Sequence, residues 1–221
     1  NNLWRLSASE IVKATTAGEI RSIDVITSVI GRMRKVNPKL NAVVIDLSEQ
    51  ALKAAELLDG DRANGKECGP LHGVPITIKI NVDQKGHPTS NGVSALKDLI
   101  APDDAPIVKN LKNAGAIIIG RTNTPEFSFR ADTENPLYGR TNNPWGKHLS
   151  PGGSSGGASS AVMAGMCTLA HGNDIGGSLR FPSVATGAVT LKPGLGRVPA
   201  WNSSQTSERG ILAQLMSVQG L

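Results

Sequence analysis

The chain has 221 residues, 39% of them hydrophobic, with 25 Gly and a net charge of +5 from 23 Lys plus Arg against 18 Asp plus Glu. At roughly 150 residues per domain this allows one large domain or two small ones, and the apolar content excludes a disordered tail. Three Trp, three Phe and one Tyr are too few for a stacked-base platform, and the basic residues are scattered, so no nucleic-acid partner is expected.

In chain order, Ser7-x-x-Glu10 is a capping box opening a helix that stops near Gly18. Ile23, Ile26, Val29, Ile30 and Met33 recur at helical spacing and predict a second helix ending before Asn37-Pro38. Arg32, Arg34 and Lys35 then read as its solvated end, where cations suit the macrodipole. Residues 42–47 form a short β-type run. A third helix is predicted over 48–58, closed by Asp59-Gly60, with a polar loop over 61–69. Residues 74–80 are β-branched and predict a buried strand. An amphipathic helix over 104–114, stopped by Gly115, precedes the wholly apolar strand 116–119. A helix of small residues is predicted over 158–166 and a further strand over 188–191. Strands alternating with helices predict an α/β or mixed-sheet fold, with no internal repeat and no linker.

Cys68 and Cys167 lack CxxC spacing, and His72, His87, His148 and His171 are dispersed. Neither a disulfide framework nor a metal site is expected. No apolar run approaches the roughly 18 residues that span a bilayer. The start lacks both a signal-peptide layout and a Met, so a trimmed start is expected. A soluble cytoplasmic protein with no membrane association is the default expectation.

Two Gly/Ser segments carry the chemistry. Residues 150–160 place four Gly around Ser154 and Ser155, just before a helix, with backbone N–H groups at its positive end. A phosphate cradle would need a GK[ST] ending, which is absent. Gly152-x-Ser154-x-Gly156 fits a nucleophile elbow, but 147–151 make a poor strand and His171 follows too closely to be a triad partner. A flexible linker conflicts with the apolar flanks. Residues 173–182 hold a second turn, in which the N–H groups around Gly176 and Gly177 form an anion-receiving nest and Ser178 follows directly. A tight turn with a capping Ser is the competing reading.

Taken together these segments resemble the amidase signature family. The matches are Gly69-Pro70-Leu71-x-Gly73-Val74-Pro75 with Lys79, Gly120 to Phe127, Asn143-Pro144-Trp145, Pro151 to Gly157, Asp174 to Pro182, and Gly187 through Leu191-Lys192-Pro193 to Gly196-Arg197. Each fragment alone is weak; the ordered set over 69–197 is specific. The resemblance implies a central mixed β-sheet covered by helices, with residues 1–68 as an N-terminal helical part and 69–221 as the signature core, one continuous domain. It implies a serine-type amidase with a Ser–Ser–Lys triad: Ser178 as nucleophile, Ser154 as a bridging Ser held by a cis peptide, and Lys79 as base. Backbone N–H groups of Ile175, Gly176, Gly177 and Ser178 would hold the oxyanion. Ser128 matches a segment lining the acyl site, although a solvated loop Ser reads almost as well. Asp174 and Arg180 would orient the loop.

The chemistry runs in parallel. A serine hydroxyl needs a base to become a nucleophile. A lysine at its ordinary pKa of about 10.4 is protonated at neutral pH, and burial near Ile76, Ile78 and Ile80 would lower it. Ile80 stands where the family commonly carries an acidic residue, and a neutral neighbour favours a lower lysine pKa. Ser94-Ala95-Leu96-Lys97 fits a β-lactamase SxxK pattern, but the companion motifs are missing.

The family's catalytic domain is about twice this long, so the fold is expected to be incomplete at the C-terminus. The missing half is expected in the same polypeptide or in another chain, and an inactive fragment is the alternative. The expected reaction splits a linear carboxylic amide through an acyl-enzyme, with esters as a side activity. The expected partner is a small-molecule amide, no cofactor is implied, and a homodimer is compatible. The alternatives are the glutaminase subunit of a tRNA-dependent amidotransferase and a non-catalytic fragment.

Overall fold

The computed structural model describes residues 2–204 and 218–220. Helix α1 (Ala8–Ala17) begins at the expected capping box: Glu10 donates its N–H to Ser7 Oγ, and its carboxylate accepts the Ser7 N–H at 2.8 Å. Gly18, at φ 76°, ends it. Helix α2 (Ser22–Leu40) does not stop before Asn37-Pro38 but passes through both. Pro38 falls in the last turn. The Asn37 side chain accepts the N–H groups of Ala42 and Val43, each at 3.0 Å, and donates to Val43 O at 2.7 Å. These bonds fix the exit into strand β1 (Val43–Asp46).

Helix α3 (Ser48–Ala63) likewise continues past Asp59-Gly60. Asp59 is a cap for another helix: its carboxylate accepts the N–H groups of Ser22 and Ile23 at 2.7 and 3.0 Å. Those are orphan donors at the start of α2, where Arg21 offers no side-chain cap. Arg32 is not a solvated helix-end cation either. Its Nε donates to Ala164 O at 2.8 Å, and its guanidinium lies 4.4 Å from the Trp4 ring centroid.

The remaining elements are β2 (Pro75–Lys79), α4 (Pro106–Asn113), β3 (Ile117–Thr122), the short pair β4 (Glu134–Asn135) and β5 (Gly139–Arg140), α5 (Gly156–Met163), β6 (Leu169–Ala170), β7 (Gly172–Asp174), α6 (Arg180–Thr186) and β8 (Val218–Gly220). The main sheet has the order β1-β3-β2-β6. β2 runs parallel to both β3 and β6, and β1 runs antiparallel to β3. This is the mixed α/β sheet expected from the alternation of elements. β7 pairs separately with β8. In the C-terminal segment, Met216, Ser217 and Leu221 lie outside the described residues.

Two expectations change. α5 starts at Gly156, inside the Gly/Ser segment, and ends at Met163. Residues 188–191 form no strand, and Val189 and Leu191 are 97% and 70% exposed. A β-branched run becomes a strand only where a neighbour supplies its ladder, and none is paired there among the described residues.

The sheet separates two cores. Ile117 and Ile119 of β3 pack with Ile26, Val29 and Ile30 of α2, Ala51 and Ala55 of α3, and Ala158 and Ala161 of α5. Ile118, one residue out of phase, joins Ile76 and Ile78 of β2, Ile11 of α1, and Val108 and Leu111 of α4. The period-2 alternation of strand side chains makes this division. Burying each such side chain contributes about 1.5–3 kcal/mol. Among the described residues no helix is long and apolar enough to cross a membrane.

Candidate active site

Strand parity aims the lysine. Ile76 and Ile78 face the α1/α4 core, so Thr77 and Lys79 face the other side, toward α5 and the loop before it. Lys79 is 0% exposed. Its Nζ lies 2.7 Å from Ser154 Oγ, 3.1 Å from Ser155 Oγ and 2.8 Å from Asn173 Oδ1. Burial brings its pKa down from 10.5 to about 7, while the charge of Asp174 acts in the opposite direction. Ile76 and Ile78 back the strand rather than surround the amine; Ser154, Ser155 and Asn173 close over it.

The loop carrying Ser154 is held at several points. Thr133 Oγ1 donates to Gly152 O at 2.8 Å and accepts the Gly156 N–H at 3.2 Å. The Gly153–Ser154 peptide is cis. A Cβ on Gly153 would meet Arg130 O at 2.3 Å, and one on Gly157 would meet Asn123 N at 2.5 Å, so both positions require glycine. No strand precedes this loop over 147–151, contrary to what a nucleophile elbow needs. Ser155 donates its N–H to Ser178 O at 3.1 Å and so ties this loop to the next one.

The turn after β7 is organised by Asp174, which is fully buried. Its Oδ1 accepts from Gly177 N–H and an Arg180 terminal nitrogen, each at 2.8 Å; its Oδ2 accepts from Leu179 N–H at 3.0 Å and Arg180 Nε at 3.1 Å. Burial opposes its charge, but Arg180 and the turn's N–H groups hold the carboxyl below the usual carboxylate range. The Gly177 N–H, one of the four expected oxyanion donors, is thereby committed to Asp174. The N–H groups of Ile175, Gly176 and Ser178 have no partner among the described residues.

A cavity of about 540 Å³ is lined by Ser128, Ser154, Ile175 to Ser178, Phe127, Phe129 and Phe181. Lys79 stands behind Ser154. Ser128 accepts from Asn81 Nδ2 at 3.1 Å, and its hydroxyl is 3.1 Å from Thr124 Oγ1. Ser94 to Leu96, of the SxxK-like segment, form an exposed-edge 3₁₀ turn elsewhere, and Lys97 faces Asp98 at 3.9 Å. Among the described residues no group of three His, Cys, Asp or Glu side chains could hold a metal ion. Sequence reasoning did not identify Asn81 or Asn173 as parts of this site. Asn173 begins the second Gly/Ser turn, but only the fold turns its amide toward Lys79.

The family model described as Amidase matches residues 24–218. An indoleacetamide hydrolase of Bradyrhizobium diazoefficiens is 60% identical over 218 residues, which is 99% of this chain and 42% of the relative. One subunit of the glutamyl-tRNA(Gln) amidotransferase of Rhodopirellula baltica is 44% identical over 192 residues, covering 87% of this chain and 38% of that protein. Among solved structures, 6-aminohexanoate cyclic dimer hydrolase superposes with a TM-score of 0.86 at 33% identity, over 100% of this chain and 44% of the other. The chain thus spans about two-fifths of the length of these relatives. With its ordered motifs, its mixed sheet and a family match over most of its residues, the chain belongs to the amidase signature family.

Proposed function

We propose that this chain carries the nucleophilic half of a serine-type amidase that hydrolyses a small aromatic primary amide of the indoleacetamide type. The observation that carries this reading is the wholly buried Lys79 amine 2.7 Å from Ser154 Oγ, with Ser154 and Ser178 lining one cavity.

Ser178 Oγ attacks the amide carbonyl carbon. Its proton passes to Ser154 Oγ as the Ser154 proton passes to the neutral Lys79 amine. The carbonyl π electrons move onto oxygen, and the N–H groups of Ile175, Gly176 and Ser178 receive that charge. Losing one such donor typically costs about 2.7–4 kcal/mol of transition-state stabilisation. Collapse of the tetrahedral species breaks the C–N bond, and the proton returns through Ser154 to the departing amine. Water then repeats the sequence on the Ser178 ester and releases the acid. Ser128 lines the acyl side of the cavity, and the Phe127, Phe129 and Phe181 rings offer an apolar rim to an aryl group.

The indoleacetamide hydrolase relative, at 60% identity, favours this substrate class over glutamine, the expectation from the amidotransferase relative at 44%. The test is turnover of indoleacetamide and of glutamine by the intact protein, with fluorophosphonate labelling alongside. The expected result is preferential release of indoleacetic acid and labelling at Ser178 that Ser178→Ala abolishes. Preferential glutamine turnover would transfer the reading to the amidotransferase class. Absence of labelling in folded protein would remove Ser178 as nucleophile.

A further inference from the structure

We infer that Asn173 is a positioning residue that aims the lone pair of neutral Lys79 at Ser154. This rests on the amidase reading above and assigns a role to a side chain that bonds Lys79 and Asn81.

Lys79 Nζ has three neighbours: Ser154 Oγ, Ser155 Oγ and Asn173 Oδ1. An ammonium would donate to all three. A neutral amine has two N–H groups and one lone pair, so one neighbour must face the lone pair and supply a proton. Asn173 Oδ1 has no proton. Its orientation is fixed by a reciprocal amide pair: Asn173 Nδ2 donates to Asn81 Oδ1 at 3.0 Å, and Asn81 Nδ2 donates back to Asn173 Oδ1 at 3.3 Å. Asn81 is held in turn by its bond to Ser128. Flipping the Asn173 amide would present its NH₂ group to the lysine and break this pair. Ser155 has one hydroxyl proton, and it is used on Asn173 O at 3.2 Å; its oxygen also accepts the Asn173 N–H at 3.4 Å. Ser155 and Asn173 therefore only accept from Lys79. Ser154 is the neighbour with a proton to give.

Asn173 thus contributes twice, through its amide oxygen and through the backbone that saturates Ser155. β7 presents it, and the pairing of Asn173 with Gln219 of β8 holds that strand. Among the described residues the charged group acting on Lys79 is Asp174, the last residue of β7, and Arg180 of α6 is bonded to it. The groups facing the lysine from the loop before α5 and from β7 are the neutral Ser154, Ser155 and Asn173. A new charge at position 173 therefore has a direct effect on Lys79.

The experiment compares Asn173→Leu and Asn173→Asp in the intact protein, measuring kcat and kcat/KM against pH, with thermal melts to establish folding. Asn173→Leu keeps the volume and removes the acceptor. Its kcat should fall about 10–100-fold with KM little changed, as a misaimed reacting group costs. Asn173→Asp keeps shape and acceptor but adds a charge. Its acid limb should move up by one pH unit or more, with kcat recovering above the new limb, a rescue that the Leu variant does not show. Wild-type limbs and equal plateaus in both variants would overturn the inference. If Asn173→Leu fails to fold, the Asp limb decides alone: an unmoved limb overturns it. Ser178→Ala runs in parallel. If that variant still turns over, the amidase reading itself fails; if it is inactive while both Asn173 variants behave as wild type, only the positioning role fails.

Discussion

Two wholly buried cations sit on adjacent central strands, and they end differently. Lys79 on β2 and Arg121 on β3 are both fully inaccessible, and Arg121 is in register with Ile78, one residue from the lysine. Burial lowers both pKa values, to about 7 for Lys79 and about 10 for Arg121, where Tyr138 and Asp83 work in the opposite direction. Arg121 stays charged at neutral pH and donates to the backbone carbonyls of Val82 and Pro88. It is a structural tie. Lys79 meets two hydroxyls and a side-chain amide, and it loses its charge near neutrality. The guanidinium spreads its charge and fits fixed carbonyls; the ammonium is a compact charge whose proton is readily removed. Burying a cation therefore leaves it charged or readily neutralised according to its chemistry and to what faces it.

The sharpest test of this contrast is Lys79→Met. Turnover should fall by about 10²–10⁴-fold, the range for a general base. Stability should change little, since Ser155 and Asn173 keep other partners and a buried charge has been removed. Parallel losses of turnover and urea midpoint would make the lysine structural.

Arg121→Met should reverse the pattern. The buried Val82 carbonyl loses its donor at about 1–3 kcal/mol and the half-buried Pro88 carbonyl loses one too, so the urea midpoint should fall, while kcat per folded molecule stays near wild type. A selective loss of kcat would erase the distinction.

The pH response separates the two further. Below about pH 7 Lys79 is protonated and cannot serve as base, so kcat/KM should rise through that value. Its folded pKa is lowered from 10.5, so between about pH 7 and 10.5 the unfolded chain binds more protons than the folded one. Stability from this group therefore rises with pH across that window, and Lys79→Met should flatten it. A wild-type slope in the Met variant would assign the window to other groups.

The smallest effect is expected for Arg121→Lys. Exchanging a fork that reaches two carbonyls for a single ammonium should cost about 1 kcal/mol, read as a modest fall in melting temperature. No fall would mean that the fork geometry is irrelevant there.

Much of the site was legible in the sequence because glycine-rich turns have few physical uses. Ser154 and Ser178 stood in stretches whose glycines permit close backbone approach, and Lys79 ended an obvious buried strand. The wholly apolar run 116–119 and the β-branched run 74–80 likewise anticipated β3 and β2. The departures have different causes, some local and some distant. Pro38 did not end α2 because Asn37 anchors the helix exit to β1. Asp59-Gly60 did not end α3, and the Asp59 carboxylate caps α2 instead. Residues 188–191 have strand composition but are paired in no strand ladder among the described residues.

By itself the sequence carried the ordered motifs on which the family resemblance rests and the alternation of strands and helices that makes a mixed α/β class, because both are local features of the chain. The tertiary structure decided the rest. It set strand parity so that Lys79 faces the serine loop, buried its amine, committed the Gly177 N–H to Asp174 and turned the Asn173 amide toward the Lys79 amine. The contacts of Lys79 with Ser154 and Asn173 join residues 75 and 94 positions apart, and a hydrogen bond over that separation exists only once the chain has folded.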